Sequence, residues 1–477
     1  MFLDILAILV SLGLLMFVAY RGYPVIIFAP IFALLAAGLS GLALMPSYSE
    51  SFMTQAANYV KSYFPIFLLG AIFGKVMEMN GAASSIAHNV VKAIGSKRAI
   101  LAVVLACGIL TYGGVSLFVV AFAVYPFAAA LFREADIPKR LLPGTIALGA
   151  FTFTMDALPG TPQIQNIIPT AVFGTDAYAA PVVGIVGGLM VFTFGMLWLE
   201  RRRRQAKALG EGYGTGHRNE PELVQAQLEA AATGEGKGAA AEQPKYLNIW
   251  VAVLPLIVVL VLNYVFSRTG WGVDKWYDAG MLKQTFKIDN VKNIVSSWAL
   301  IGALTTGIVV ALLINAREVK GKLAGGLTAA AAGALLAIFN TASEVGFGNV
   351  IKTLPGFSGI RDSILGASSH PLISEALAVN VLAGITGSAS GGLSIALDVM
   401  GKQYLALANA TGLSPELLHR IASMASGGMD TLPHNGAVIT LLAITGLTHR
   451  QSYKDIFAVT VVKTLTVFLL AGVLSIF

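Results

Sequence analysis

The chain has 477 residues, of which 56% are hydrophobic and only 12% charged, with a mean hydropathy of +0.74. Soluble domains carry about 25% charged residues, so this apolar surplus excludes a set of soluble domains, a disordered chain and a collagenous one. A single cysteine, Cys107, excludes a disulfide framework. The net charge of +7 is unevenly placed, because residues 201–245 hold 14 of the 57 charged side chains and open on Arg201, Arg202, Arg203 and Arg204. This stretch reads as a solvated linker with a short helix near 220–232. Its arginines read as an orientation signal beside a membrane helix rather than as a nucleic-acid site.

Apolar runs long enough to cross a bilayer, about 20 residues each, follow in chain order. In the first half they are predicted near 3–20, 24–45, 63–79, 98–131 (a pair), 141–155 and 181–199. In the second half they fall near 249–266, 294–315, 324–345, 364–408 (a pair or hairpin), 421–447 in broken pieces, and 456–477. The opening Met1-Phe2-Leu3-Asp4 lacks a basic start and a cleavage site, so the first run reads as a retained span rather than a secretion signal. With the linker on the cytoplasmic side, Arg21, 75–98, 133–140, 317–322 and 450–454 fall on that side and both termini face outward. Trp198, Trp250 and Trp298 lie near span ends, and Trp271 and Trp276 sit in the outer loop 267–293.

Three short strings recur in order at offsets of 274 to 278 residues. Phe73-Gly74-Lys75-Val76 pairs with Phe347-Gly348-Asn349-Val350, and Gly113-Gly114-Val115-Ser116 with Gly391-Gly392-Leu393-Ser394. Met155-Asp156-Ala157-Leu158-Pro159 pairs with Met429-Asp430-Thr431-Leu432-Pro433. On the charge map the paired segments lie on opposite sides, so the duplicated halves are inverted. The expected fold is an all-α polytopic membrane protein built from two inverted-topology repeats with broken helices and re-entrant hairpins. Residues 1–200 form the first repeat, 201–247 a cytoplasmic linker and 248–477 the second repeat. Inverted repeats are characteristic of secondary transporters, whose binding sites sit where helices break near the midplane.

Two kinds of break recur. The Gly-Gly strings lie between apolar runs and read as hairpin tips, with Gly113, Gly114, Ser116, Ser390, Gly391, Gly392 and Ser394 as substrate ligands; close packing of small residues is the competing reading. The proline-broken strings 152–166 and 426–436 free backbone groups and offer the start of a half-helix to an anion. Gly160, Thr161, Gln163, Asn166, His434 and Asn435 are the substrate-binding candidates there. Asp156 and Asp430 are acids at membrane depth, where a charge is costly, and read either as ion-coupling groups or as helix caps. Glu344 is a third intramembrane acid with no acidic counterpart in the first half.

A phosphate loop, a Cys/His metal cluster, an arginine ladder and the Gly-x-Gly-Asp string of intramembrane proteases are all missing. No cofactor or metal is expected. At the Leu158-Pro159-Gly160-Thr161-Pro162 break, the Gly-Gly regions, Ser414-Pro415-Glu416-Leu417 and residues 434–435, the chain resembles the gluconate permease (GntP-type) family of the ion transporter superfamily. That resemblance covers nearly the whole chain and implies a proton-coupled symporter of gluconate and related hydroxy acids. It also implies a homodimer with a scaffold and a moving transport domain in a bacterial inner membrane. The chain departs from the gluconate members at Tyr112-Gly113-Gly114, where they tend to carry a glutamate, and at 158–162, where they carry a Pro-Pro-His-Pro break. These departures set a smaller acid, 3-hydroxybutyrate-like, beside gluconate as the expected substrate, with a proton or sodium as the coupling ion. A membrane-embedded enzyme using Asp156 and Asp430, or a passive anion channel, are the alternatives.

Overall fold

The computed structural model describes residues 2–21, 23–221, 246–268, 272–288, 291–366, 368, 370–433 and 435–476. Trp271, His434 and the short helix expected near 220–232, apart from residues 220 and 221, lie outside the described residues. Among the described residues the protein is all helical, without strands. The first half runs α1 (Phe2–Tyr20), α2 (Val25–Leu39), α3 (Leu44–Met79), α4 (Ala82–Ile94), α5 (Ala99–Tyr112) and α6 (Leu117–Glu134). It continues through α7 (Leu142–Ala150), α8 (Phe153–Asp156) and α9 (Ile164–Phe173) to α10 (Pro181–Ala208). The second half runs α11 (Ile249–Arg268), α12 (Ala279–Phe286), α13 (Lys292–Leu313), α14 (Ala316–Thr353), α15 (Phe357–Gly366) and α16 (Pro371–Thr386). It closes with α17 (Ala389–Thr411), α18 (Pro415–Ser426), α19 (Gly436–Thr445) and α20 (His449–Leu474).

The two halves share an order: two apolar helices, one very long helix, a helix pair, a further helix, a short helix, a break, a short helix and a long last helix, with α8 found only in the first half and α12 only in the second. Among the described residues six helices are long and apolar enough to span a membrane, and the pair α4–α5, bent by 98° at Gly95, adds a seventh if taken as one span. The span expected at 63–79 is longer than the sequence pattern suggested. It begins at Leu44, because the polar stretch Ser47–Phe52 widens into a π-helical turn instead of ending the helix.

α3 and α14 pack tightly along each other because α14 carries small residues: a Cβ on Gly346 would come within 2.8 Å of the Phe52 carbonyl oxygen. In a bilayer such residues let backbones approach where there is no hydrophobic drive between helices. Phe52, Tyr59, Ile338, Phe347 and Val350 form one apolar core with α1 and α2. A larger core joins α4 to α7 with α11, α13, α16, α17, α18 and α20. Aliphatic residues on the outer faces of α1, α2, α10 and α11, such as Leu9, Ile31, Leu189 and Val261, stay exposed, as lipid-facing positions do.

Ion pairs fix which loops share an end. Asp455 lies 2.9 Å from Arg202 Nε and 3.6 Å from Arg140 Nη1, which brings the basic segments 133–140, 201–204 and 450–454 together. The counterpart of 133–140 lies at the other end of α10, where the Ala180 amide donates to Glu416 Oε2 at 2.9 Å. Ala180 and Arg202 are separated by about 30 Å along that helix at 1.5 Å per residue. The halves are therefore inverted, as the charge map anticipated. On the basic end, the segment after α10 lies across the molecule: Glu211 pairs with Arg140 at 2.6 Å, Glu220 with Lys139 at 3.0 Å, and Asn219 Nδ2 donates to the Ala443 carbonyl at 2.7 Å.

Candidate functional site

The two broken strings meet. The helix α7 ends at Phe151, and Thr152 departs from helical geometry with φ −129° and ψ −126°, so the Phe151 carbonyl points out of the ladder. It accepts from Lys463 Nζ at 2.7 Å. The same ammonium lies 3.2 Å from Asp156 Oδ2 and 3.3 Å from Asp430 Oδ1. All three residues are at most 5% exposed. Gly427 makes room, because a Cβ there would overlap both Asp156 Oδ2 and Lys463 Nζ. Ser423 Oγ donates to the Asp156 carbonyl at 2.7 Å, and the hydroxyls of Thr431 and Thr460 pair beside Asp430.

The helix-cap reading of the two acids fails on this geometry. The restarting helices begin at Gln163 and Asn435, and Asn435 itself caps α19 by accepting from the amides of Ala437 and Val438. Both N-cap residues also reach back to their own half's hairpin. Gln163 Nε2 donates to the Thr111 carbonyl at 2.8 Å, and Asn435 Nδ2 donates to the Gly387 carbonyl at 2.6 Å. Tip and break are thus tied together in each half.

The tips differ in one respect from the sequence reading. In the first half the reversal is at Gly113–Gly114, with Gly114 at φ +95°, a left-handed value that favours glycine. In the second half it is at Gly387–Ser388, with Gly387 at φ +66°, while Gly391 and Gly392 lie inside the first turns of α17. They are needed there for proximity: a Cβ on Gly392 would overlap the backbone of Ala383 on the facing arm α16. Gly113 packs against Leu256, Gly114 against Pro162 and Gly160 against the Tyr178 ring. Ser116 begins α6 without capping it through its side chain.

The remaining candidates divide into two groups. Thr161 Oγ1 donates to the Thr154 carbonyl at 2.9 Å, and Asn166 Nδ2 donates to the carbonyls of Thr161 and Ala177 at 2.9 and 2.8 Å, so both hold the first break together. Around the second tip, Glu344 Oε2, Ser394 Oγ and the Tyr59 hydroxyl are buried and make no hydrogen bond among the described residues. Glu344 Oε2 occupies the space that a Cβ on Gly391 would fill, and Ser390 is 8% exposed in the same turn. The structure therefore brings Asp156 and Asp430 together around Lys463, and gathers Glu344, Ser390, Gly391 and Ser394 separately at the second tip.

Four buried titratable residues that the sequence reading did not single out join these elements. Lys463 was visible only as a lone basic residue in the last span. Arg420 is fully buried and donates to the carbonyls of Ala157, Ala177 and Ala179 and to Asn166 Oδ1, linking α18 to the first break. Its neighbour His419, also fully buried, sits 2.6 Å from Thr175 Oγ1 and 3.2 Å from Asn166 Oδ1. Glu375, buried on α16, has no hydrogen bond at either carboxylate oxygen among the described residues. A lone charge inside an apolar run was the available signal for Lys463 and Glu375; Arg420 sat in a stretch read as a loop.

Helices broken at matching places around a buried charge centre, inside an inverted membrane fold, define a transporter. Residues 1–315 match the GntP family permease family. The chain is 51% identical over 99% of its length, and 99% of the relative's, to the Bacillus subtilis (strain 168) protein named uncharacterized transporter YxjC. An uncharacterized transporter of Haemophilus influenzae is 28% identical over 155 residues, 32% of this chain and 34% of that one. The Alcanivorax borkumensis YdaH transporter, whose crystal structure reveals an unusual topology, shares the fold with a TM-score of 0.52 at 16% identity, covering 88% of this chain and 86% of that one. The chain belongs to the GntP permease family and is a multi-pass membrane transporter of it.

Proposed function

We propose that the protein is a proton-coupled symporter of a small hydroxycarboxylate such as gluconate or a 3-hydroxybutyrate-like acid. The observation that carries this reading is the centre in which Asp156 and Asp430, one from each broken string, share Lys463. Burying ions costs several kcal/mol each unless they are paired, so an intramembrane charge centre is retained for function rather than stability. Two carboxylates face one ammonium, with the Arg420 guanidinium acting on Asp156 from α18, so a single proton taken by either acid changes the charge of the centre by one. Loading and release of that proton, with the substrate, then changes the charge that the moving part carries through the membrane.

The substrate's carboxylate is assigned to the tips and breaks: Gly113, Gly114 and Ser116 with Gly160 in the first half, Ser390, Gly391, Gly392, Ser394, His434 and Asn435 in the second. Thr161, Gln163 and Asn166 shape the first break. Glu344 joins the coupling acids. Residues 1–200 and 248–477 act as the two repeats, with α3 and α14 in a static scaffold and the hairpins and breaks in a part that moves as an elevator. The working unit is the homodimer that the family resemblance implies, in a bacterial inner membrane, with linker 201–247 cytoplasmic and both termini outside. Reconstituted protein tests the reading: an imposed inward proton gradient should drive saturable accumulation of labelled gluconate or 3-hydroxybutyrate, and a protonophore should abolish it. Flux that ignores both proton and sodium gradients would reject symport.

A further inference from the structure

Lys463 Nζ is surrounded by three oxygens of a kind that binds hard cations: one from each of two carboxylates and one freed backbone carbonyl. Nζ donates to the Phe151 carbonyl and to Asp430 Oδ1, and pairs by charge with Asp156 Oδ2 at 3.2 Å, an oxygen that makes no hydrogen bond among the described residues. The carbonyl is available only because the helix breaks after Phe151, the pattern by which unwound backbone coordinates coupling ions in membrane transporters. The hydroxyls of Thr431, the residue after Asp430, and Thr460 pair with each other, and Gly427 keeps the space around Nζ clear of side chain. Among the described residues no group of three or more His, Cys, Asp or Glu side chains is placed to hold a metal ion.

We infer that Lys463 is the resident cation of a site that would otherwise bind an alkali-metal ion, and that its tethered charge fixes which ion this transporter uses. With the ammonium in place, a sodium ion finds the oxygens already taken, and the two acids are left for a proton. Shortening the side chain opens the oxygen set to a small monovalent cation. A long apolar side chain in its place removes the ammonium but keeps the space filled. This assignment rests on the reading of Asp156 and Asp430 as coupling acids, but its test measures cation binding alone, so a failure of symport and a failure of this assignment are told apart.

The full-length protein in detergent is heated in sodium, lithium or potassium chloride and in choline chloride at equal ionic strength. A ligand that binds the native state raises its melting temperature. The parent should melt alike in all four. Lys463→Ala should melt lower in choline and recover by several degrees (about 5 °C, on the order of a 100-fold excess over Kd) with one alkali-metal chloride, saturably at millimolar concentration. Lys463→Met should show no such recovery. If Lys463→Ala assembles only in an alkali-metal salt, the assignment also holds. If it assembles in none, Lys463→Ser, which adds a hydroxyl oxygen to the set, is read by the same criterion. A parent that already responds to sodium, a shortened variant indifferent to every cation, or equal recovery by Lys463→Met overturns the inference.

Discussion

Arg420→Met tests how the first break is held. Methionine nearly keeps the volume, so the change removes the guanidinium without opening a large cavity. Five hydrogen bonds of 2.8 to 3.3 Å are lost, and the carbonyls of Ala157, Ala177 and Ala179 lose a charged donor in a fully buried place. Hydrogen bonds to a charged group are worth about 1.5–3 kcal/mol, and each buried acceptor left orphaned costs about 1–3 kcal/mol. Those terms overlap, and removing the charge returns part of its desolvation cost, which brings the expected net loss to about 3–5 kcal/mol. Arg420→Lys, whose single ammonium reaches fewer of the four acceptors, should fall between parent and Arg420→Met. Because Ala157 follows Asp156 directly, release of that carbonyl also loosens Asp156 from Lys463, and uptake should fall in the same order as stability. Reversible unfolding by titrated denaturing detergent, followed by tryptophan fluorescence, measures the difference. A loss below about 0.5 kcal/mol, the level of an ordinary surface change, would refute the argument that Arg420 holds the break.

Gly427→Ala should abolish uptake while sparing assembly, because its methyl would overlap Asp156 Oδ2 and Lys463 Nζ, which are side-chain ends able to yield; uptake with size-exclusion chromatography reads both. Gly392→Ala meets the backbone of Ala383 and lies 2.6 Å from the Leu382 carbonyl carbon, so the arms of the second hairpin must separate. It should cost about 3 kcal/mol, the upper end of overpacking, against about 1 kcal/mol or less for Gly113→Ala, whose three nearest contacts are all to the Leu256 side chain at 2.7 to 2.9 Å; thermal unfolding ranks the two. On the basic end, hydrogen bonds from Arg140 hold the Glu211 carboxyl below its ordinary value of 4.5. A depressed folded value means that the pair contributes fully above that ordinary value and is lost as pH falls through the lowered one. Arg140→Gln should therefore move acid release of this segment upward toward pH 4.5, as reported by a fluorophore at Thr215.

Much of the fold was legible because the bilayer imposes a simple grammar of apolar length and basic loops. The strings around Phe73, Gly113 and Asp156 found their partners because duplication preserves the residues that breaks and close contacts require. Asp156 and Asp430 were identifiable because carboxylates are rare at that depth. Their partner was harder to see: Lys463 shares no string with either acid and meets them only through the packing of α20 against α7 and the second break. Arg420 was hidden because α18, at 12 residues, is too short for a membrane span, so its buried end read as loop. The reach of Gln163 and Asn435 back to the tips depends on tertiary distances that spacing does not encode. The polar start of α3 misled for a local reason, since Ser47–Phe52 continues the helix as a wide turn rather than ending it.

The central claim is that the centre formed by Asp156, Lys463 and Asp430 carries the coupled proton. Asp430→Asn in proteoliposomes tests it most directly, with two fluxes of the same substrate measured on one preparation. Exchange between internal and external substrate, with no net proton movement, should persist, while accumulation driven by an imposed proton gradient should be lost. Proton-driven accumulation by Asp430→Asn at the parent's level would contradict the account.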